Sequence, residues 1–132
     1  MECVFCNIAK GKIPAYKVWE NEEFLTFLDI KPIMKGHLLL IPKRHYSYVF
    51  EIPEDEYIKL MKTAKQLSYP LRRFFKAKRI GLIIEGLEVE HVHIHLVPIN
   101  VAGELNPANS KEGNPEELKI LAEELRKSFK DF

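Results

Sequence analysis

Apolar and polar positions along this chain follow the period of a strand in some stretches and that of a helix in others. Tyr16–Trp19 and Glu23–Leu28 alternate over short runs separated by Glu20-Asn21-Glu22, the pattern of a β-hairpin with a turn residue at its tip. Asp29-Ile30-Lys31-Pro32 breaks that pattern. His37–Ile41 then forms a compact apolar run closed by Pro42, which predicts a buried strand. From Glu54 the period changes: Ile58, Met61, Ala64, Leu67, Leu71 and Phe74 trace the apolar stripe of an amphipathic helix. Pro53 and the acids after it suit the start of that helix, and Arg72, Arg73 and Lys76 suit its end. Pro70 lies inside the stripe and predicts a kink or break near Tyr69.

Arg79–Ile84 and Val92–Val97 read as further strands joined around Gly86. Asn114-Pro115-Glu116-Glu117 carries an N-cap, a proline at the first helical position and a carboxylate at N3. It opens a C-terminal helix over about residues 115–130, with Leu118, Leu121, Leu125 and Phe129 on its apolar side. At the other end, Cys3–Lys10 predicts a short helical turn stopped by Gly11 and Pro14. No repeat or linker divides residues 1–132, so the expected architecture is one α+β domain on an antiparallel sheet.

Composition narrows the function. The 132 residues are 46% hydrophobic and 30% charged, a globular balance. Twenty basic against nineteen acidic side chains leave a net charge of +1, which argues against a nucleic-acid binder that works by electrostatics. The longest apolar run, Leu38–Ile41, is too short to cross a bilayer, and Met1-Glu2-Cys3 does not begin a signal peptide. The expected location is the cytoplasm, where two thiols bind metal or do redox work more often than they cross-link.

His91-Val92-His93-Ile94-His95-Leu96-Val97-Pro98 is the strongest chemical feature, holding three of the five histidines. Side chains on a strand alternate faces, which puts the three imidazoles on one side and Val92, Ile94 and Leu96 on the other. A lone strand histidine is usually a surface or satisfied core residue; three in strict alternation against an apolar backing indicate a purpose. Cys3-Val4-Phe5-Cys6 is weaker by itself: half a zinc site, a redox pair, or two small buried residues. Zinc takes four ligands, usually sulfur and imidazole, so the remaining two must come largely from His37, His45, His91, His93 and His95. Asp29 by itself suits a turn or cap.

The ordered set Cys3-x-x-Cys6, Asp29-x-x-Pro32, Gly36-His37-x-Leu39-x-Ile41-Pro42-Lys43-x-His45 and His91-x-His93-x-His95-x-x-Pro98 resembles the histidine triad (HIT) proteins from residue 3 to about 100. That resemblance implies a five-stranded antiparallel α+β domain, typically a homodimer, acting on a purine nucleotide of the AMP type. It implies hydrolysis or transfer at the α-phosphorus, with His93 as nucleophile forming a nucleotidyl-imidazole, His95 bonding a non-bridging phosphate oxygen, and His37 near the same pocket. Asp29 would accept the ribose hydroxyls, and Phe5, Ile8, Leu28 and Ile30 would enclose the base. One structural Zn2+ per chain would be held by Cys3, Cys6, His45 and His91. An imidazole titrating near 6.5 is a competent neutral nucleophile at pH 7.

One stretch departs from the family pattern. Gly81–Glu90 lacks the Asn and Gln that contact phosphate, and Glu88 stands where a hydroxyl residue often serves the leaving group. A carboxylate there would repel a polyphosphate and tolerate an amine or other small leaving group, so among AMP-type conjugates such as a phosphoramidate, a sulfate or a dinucleoside polyphosphate the expectation leans away from a dedicated polyphosphate hydrolase. Two other functions compete: a metallohydrolase with catalytic metal on the triad, and a zinc-stabilised nucleotide-binding module without turnover.

Overall fold

The computed structural model describes residues 3–130; Met1 and Glu2, on which the reading against a signal peptide partly rests, lie outside them. In chain order the elements are α1 (Val4–Ala9), β1 (Lys17–Glu20), β2 (Phe24–Leu28), β3 (Leu38–Pro42), α2 (Glu54–Phe75), β4 (Arg79–Ile83), β5 (Ile94–Ile99) and α3 (Pro115–Ser128). Short 3-10 turns at Val49–Glu51 and Pro107–Asn109 carry no signal in the apolar pattern. The strands form one five-stranded sheet of order β1-β2-β3-β5-β4, antiparallel at every pairing. The expected α+β fold is the observed one. No helix among the described residues is long and apolar enough to cross a membrane.

The hairpin forms as its turn chemistry requires. Asn21 Oδ1 accepts the N–H groups of Glu23 and Phe24 at 2.9 and 2.7 Å, closing the tip between β1 and β2. Alternation along β2 and β3 then sorts residues onto two faces. Phe24, Leu28, Leu38 and Leu40 join the large core beneath α2 and α3, whereas Leu25, Phe27, Leu39 and Ile41 pack with Phe5 and Ile8 of α1. Both faces are covered, so β2 and β3 are buried at every position.

Two expectations need correction. The break near Tyr69 does not occur: helix α2 is continuous through Pro70 to Phe75. A proline inside a helix costs about 3 kcal/mol, but Leu67 and Leu71 beside it are fully buried, each worth roughly 1.5–3 kcal/mol, so continuing the stripe wins. Strand β5 begins at Ile94 rather than Val92, because residues 91–93 spend their groups elsewhere. Val92 N–H donates to the Tyr46 carbonyl at 2.7 Å, and His93 Nδ1–H donates to the His91 carbonyl at 2.7 Å. The pairing with β3 accordingly stops at Leu40 opposite Ile94. Val92, Ile94 and Leu96 still share the helix-side core.

Gly36 links this frame to the site that follows. Its φ is +93°, and a Cβ there would stand 2.3 Å from the Phe75 ring at the end of α2. Both the backbone and the space demand glycine one residue before His37. Gly36→Ala is expected to cost about 2–4 kcal/mol from backbone strain plus overpacking, read as a lower urea midpoint at unchanged m. Adding Phe75→Leu should recover part of it; a midpoint equal to the parent's in Gly36→Ala would show that neither constraint acts.

Candidate functional site

Helix α1 brings the thiols together. Cys3 is its N-cap and Cys6 lies one turn on, so both sulfurs face the same way; Cys6 N–H reaches Cys3 Sγ at 3.4 Å. Cys3 Sγ is 3.3 Å from His91 Nδ1, and Cys6 Sγ is 3.3 Å from His45 Nδ1 and 3.5 Å from His91 Nδ1. The two imidazole nitrogens are 3.1 Å apart. Bond lengths of about 2.0–2.3 Å give tetrahedral edges of roughly 3.3–3.8 Å, so these four atoms have the dimensions of a four-ligand metal site. His91 is buried, and its Nε2–H donates to the Pro42 carbonyl at 2.8 Å, which leaves Nδ1 unprotonated toward the sulfurs. Burial lowers the His91 pKa, partly offset by that carbonyl, and burial with the Cys3 contact pushes the Cys6 thiol up. A cation among the four atoms would reverse the second effect and favour thiolate.

The remaining histidines form a separate group. Ile33 N–H donates to His37 Nδ1 at 2.9 Å, so the neutral ring carries its proton on Nε2. That Nε2–H donates to His95 Nδ1 at 2.9 Å, which places the His95 proton on Nε2 in turn. His93 behaves in the complementary way: its Nδ1–H is taken by the His91 carbonyl, leaving the lone pair on Nε2. The His93 and His95 rings lie 4.9 Å apart. The triad is thus divided three ways: His91 belongs with the cysteines and His45, His95 with Asp29 and His37, and His93 with neither group.

Asp29 sits at the end of β2, where its Oδ1 accepts Lys31 N–H at 2.8 Å. Its Oδ2 is 3.5 Å from His37 Nε2 and 4.0 Å from His95 Nδ1. Asp29, His37 and His95 lie close enough together to hold a metal, yet their protonation argues otherwise. With His37 Nδ1 accepting a backbone N–H, metal on Nε2 would require an imidazolate. Burial holds His37 at a pKa of about 4. Burial lowers His95 to about 4 as well, aided by His37 and His93 and opposed by Asp29. Burial raises the Asp29 pKa, against the Lys31 hydrogen bond and the nearby His95 and His93; the Glu88 charge adds to the rise, so exposed Glu88 is felt inside the site.

The residues expected around a base divide between the two faces. Phe5 and Ile8 are buried in the α1-side cluster, where the Phe5 ring meets His93 edge-on at 5.0 Å and Phe27 at 5.7 Å. Leu28 is placed on the opposite side, in the helix-side core, and Ile30 is 57% exposed and packs in neither cluster. Phe27 was the residue to expect, since it is two positions before Asp29 and strand alternation puts it on the same side. A cavity of about 880 Å³ opens beside Asp29 and His37, walled by Leu28, Ile33, Leu118 and Leu121. Helix α3 therefore shapes one side of it, while His93 does not line it.

Comparison with known proteins agrees with this geometry. A family model described as the HIT domain matches residues 10–101. An uncharacterised HIT-like protein of Methanocaldococcus jannaschii is 40% identical over 100 residues, covering 73% of this chain and 78% of its own. The adenosine 5'-monophosphoramidase of Schizosaccharomyces pombe is 32% identical, covering 98% of this chain and 100% of its own. A crystal structure of a Zn-bound histidine triad family protein from Mycobacterium smegmatis superposes with a TM-score of 0.83 at 28% identity, over 99% of this chain and 95% of that one. The chain belongs to the HIT domain family, and His91, His93 and His95 are its triad.

Proposed function

We propose that the protein hydrolyses an AMP-type nucleoside phosphoramidate through a nucleotidyl intermediate on His93. The observation that carries this reading is the His93 tautomer. Its Nδ1–H is held by the His91 carbonyl at 2.7 Å, so Nε2 offers a lone pair on a ring that cannot turn without breaking that bond. The name of the Schizosaccharomyces pombe relative supports the phosphoramidate class. Glu88 supports it too, since a carboxylate at the position where the family often carries a hydroxyl residue would repel a polyphosphate and accommodate an amine.

In the first step His93 Nε2 attacks the α-phosphorus. The new N–P bond forms as the P–N bond to the leaving group breaks, and the departing amine takes up a proton from solvent water; the water that resolves the intermediate returns one to solvent. Water then attacks phosphorus, breaks the imidazole–P bond, and releases the nucleoside monophosphate. Each displacement is easier than direct hydrolysis. His95, with its proton on Nε2, supplies a donor for charge developing on a non-bridging oxygen, and His37 fixes that orientation from behind. Asp29 takes the ribose hydroxyls, and Phe5 and Ile8 with Phe27 offer the base an apolar wall. We assign the four-atom site of Cys3, Cys6, His45 and His91 to Zn2+. When bound it serves as a structural cross-link, because all four positions are filled by protein.

His93→Ala is expected to lower kcat on adenosine 5'-phosphoramidate by about a thousandfold or more while AMP binds within about threefold of the parent. Turnover at the parent rate would end the nucleotidyl-histidine reading.

Elemental analysis should find one zinc per chain, lost in Cys3→Ser. Chelation should lower the melting temperature, with activity falling in step with the folded fraction. Activity that vanishes while the melting curve stays fixed would instead indicate catalytic metal.

The two histidines at about 4 have a defined pH signature. The unfolded chain binds their protons near 6.5 and the folded one does not, so stability is complete above pH 6.5 and falls as pH drops toward 4. Each group contributes about 1.4 kcal/mol per pH unit in that window. Asp29, with a raised pKa, acts in the opposite sense at the acid end, so the slope is best read between pH 6.5 and 5. His37→Gln should remove about one proton from the slope of urea-derived stability against pH; an unchanged slope would show that His37 is protonated in the folded protein.

A further inference from the structure

The Asp29 loop is clamped from the C-terminal side. Beyond Asp29, the Ile30 carbonyl accepts Gly113 N–H at 2.8 Å and the Pro32 carbonyl accepts Lys111 N–H at 3.2 Å. Residues 111–113 therefore run beside 30–32 as a two-bond ladder outside the five-stranded sheet. Within the loop, Asp29 N–H donates to the His37 carbonyl at 3.0 Å and Asp29 Oδ1 accepts Lys31 N–H. The ladder thus fixes the segment that aims Oδ2.

Gly113 permits this closeness through space rather than backbone angle. A Cβ there would stand 2.9 Å from Leu118 Cδ1 and 3.0 Å from the Ile30 carbonyl oxygen. Leu118 Cδ1 ends a flexible side chain that also walls the cavity, so it can turn aside. The Ile30 carbonyl is backbone and can give way only if the loop moves. Just after Gly113, Asn114 caps α3 by accepting Glu117 N–H at 3.1 Å. Helix α3 is itself held by Leu121, Ala122 and Leu125 in the core and by Arg126, which donates to the Lys17 carbonyl at 2.6 Å. One side of the ladder is anchored, so crowding at Gly113 displaces the other.

We propose that Gly113 is a positioning residue for the ribose. It holds the Asp29 loop against the C-terminal segment so that the carboxylate meets the 2' and 3' hydroxyls, and it makes preference for ribonucleotides depend on the C-terminal segment. The proposal rests on the reading of Asp29 as the ribose acceptor.

The test compares the full chain, Gly113→Ala and Asp29→Asn on adenosine 5'-phosphoramidate and its 2',3'-dideoxy counterpart, with kcat and KM measured separately. Gly113→Ala should raise KM for the ribonucleotide about tenfold, the loss of one hydrogen bond to a charged acceptor. Its kcat should stay within about threefold and its dideoxy kinetics should barely change, so that its ribo-to-dideoxy ratio moves toward that of Asp29→Asn. Lys111→Pro, which deletes the other ladder donor, should move the ratio the same way and serves if Gly113→Ala does not fold. An unmoved ratio in the folded variants, or an equal loss on both substrates, overturns the proposal. If the parent itself does not distinguish the two substrates, the ribose assignment of Asp29 falls and this proposal with it, while nucleotidyl transfer on His93 is judged by His93→Ala alone.

Discussion

His91 makes three bonds on which the rest of the site depends. Its Nε2–H is fixed by the Pro42 carbonyl at the end of β3, its Nδ1 faces the two cysteine sulfurs and His45, and its own carbonyl holds Nδ1–H of His93. A single buried residue therefore joins the N-terminal helix, the central strand and the candidate nucleophile. None of these bonds can shift independently. Rotating the ring to free Nε2 would also swing Nδ1 away from the sulfurs, and moving the backbone would release His93.

Protonation in this site is decided by backbone groups rather than by carboxylates. Pro42, His91 and Ile33 each direct one imidazole through a carbonyl or an N–H. Such partners select a tautomer without stabilising a positive charge as strongly as a carboxylate would, and burial holds His37 and His95 down at about 4. Under the proposed reading, the fixed tautomers set a lone pair at His93 Nε2 beside an N–H at His95 Nε2. The Asp29 carboxylate, at 3.5 and 4.0 Å, is too distant for strong hydrogen bonds to the two rings.

Much of this was legible in the sequence, for identifiable reasons. The hairpin, α2 and α3 follow from apolar period and capping chemistry, and Asn21 and Asn114 perform the roles their positions suggest. The grouping of Cys3, Cys6, His45 and His91 was implied by motif resemblance, since nothing local in the chain says which histidine turns toward the thiols. Pro70 misled because propensity weighs one helix bond against nothing, whereas the folded chain weighs it against two buried leucines. Alternation along β2 sends Leu28 to the helix side and Phe27 to the α1 side, and the early end of the β5 pairing depends on a Tyr46 carbonyl that no pattern in residues 91–97 reveals. The contact of Gly113 with Ile30 joins segments distant in the chain and carries no periodic signal at all.

The two faces of the sheet have different means of support, which explains why the polar chemistry lies where it does. The helix side is covered by α2 and α3 with an extensive apolar cluster, enough to hold the sheet by burial. Among the described residues the other side has α1, six residues long, whose Phe5 and Ile8 are buried in a small cluster that the partly buried Ile13, Ala15 and Val89 also touch. A helix that short does not persist alone in water, and two buried side chains are a thin anchor for the segment that precedes β1. Histidines can occupy this side without disrupting the main core, but the same sparsity leaves α1 weakly held by packing. The cysteine and histidine cluster answers that weakness by tying α1 to β3 and to the start of the triad, at the edge of the site rather than within it. Fastening and chemistry thus share one sequence motif because His91 and His93 are two residues apart, close enough for the rigidity of one to set the aim of the other.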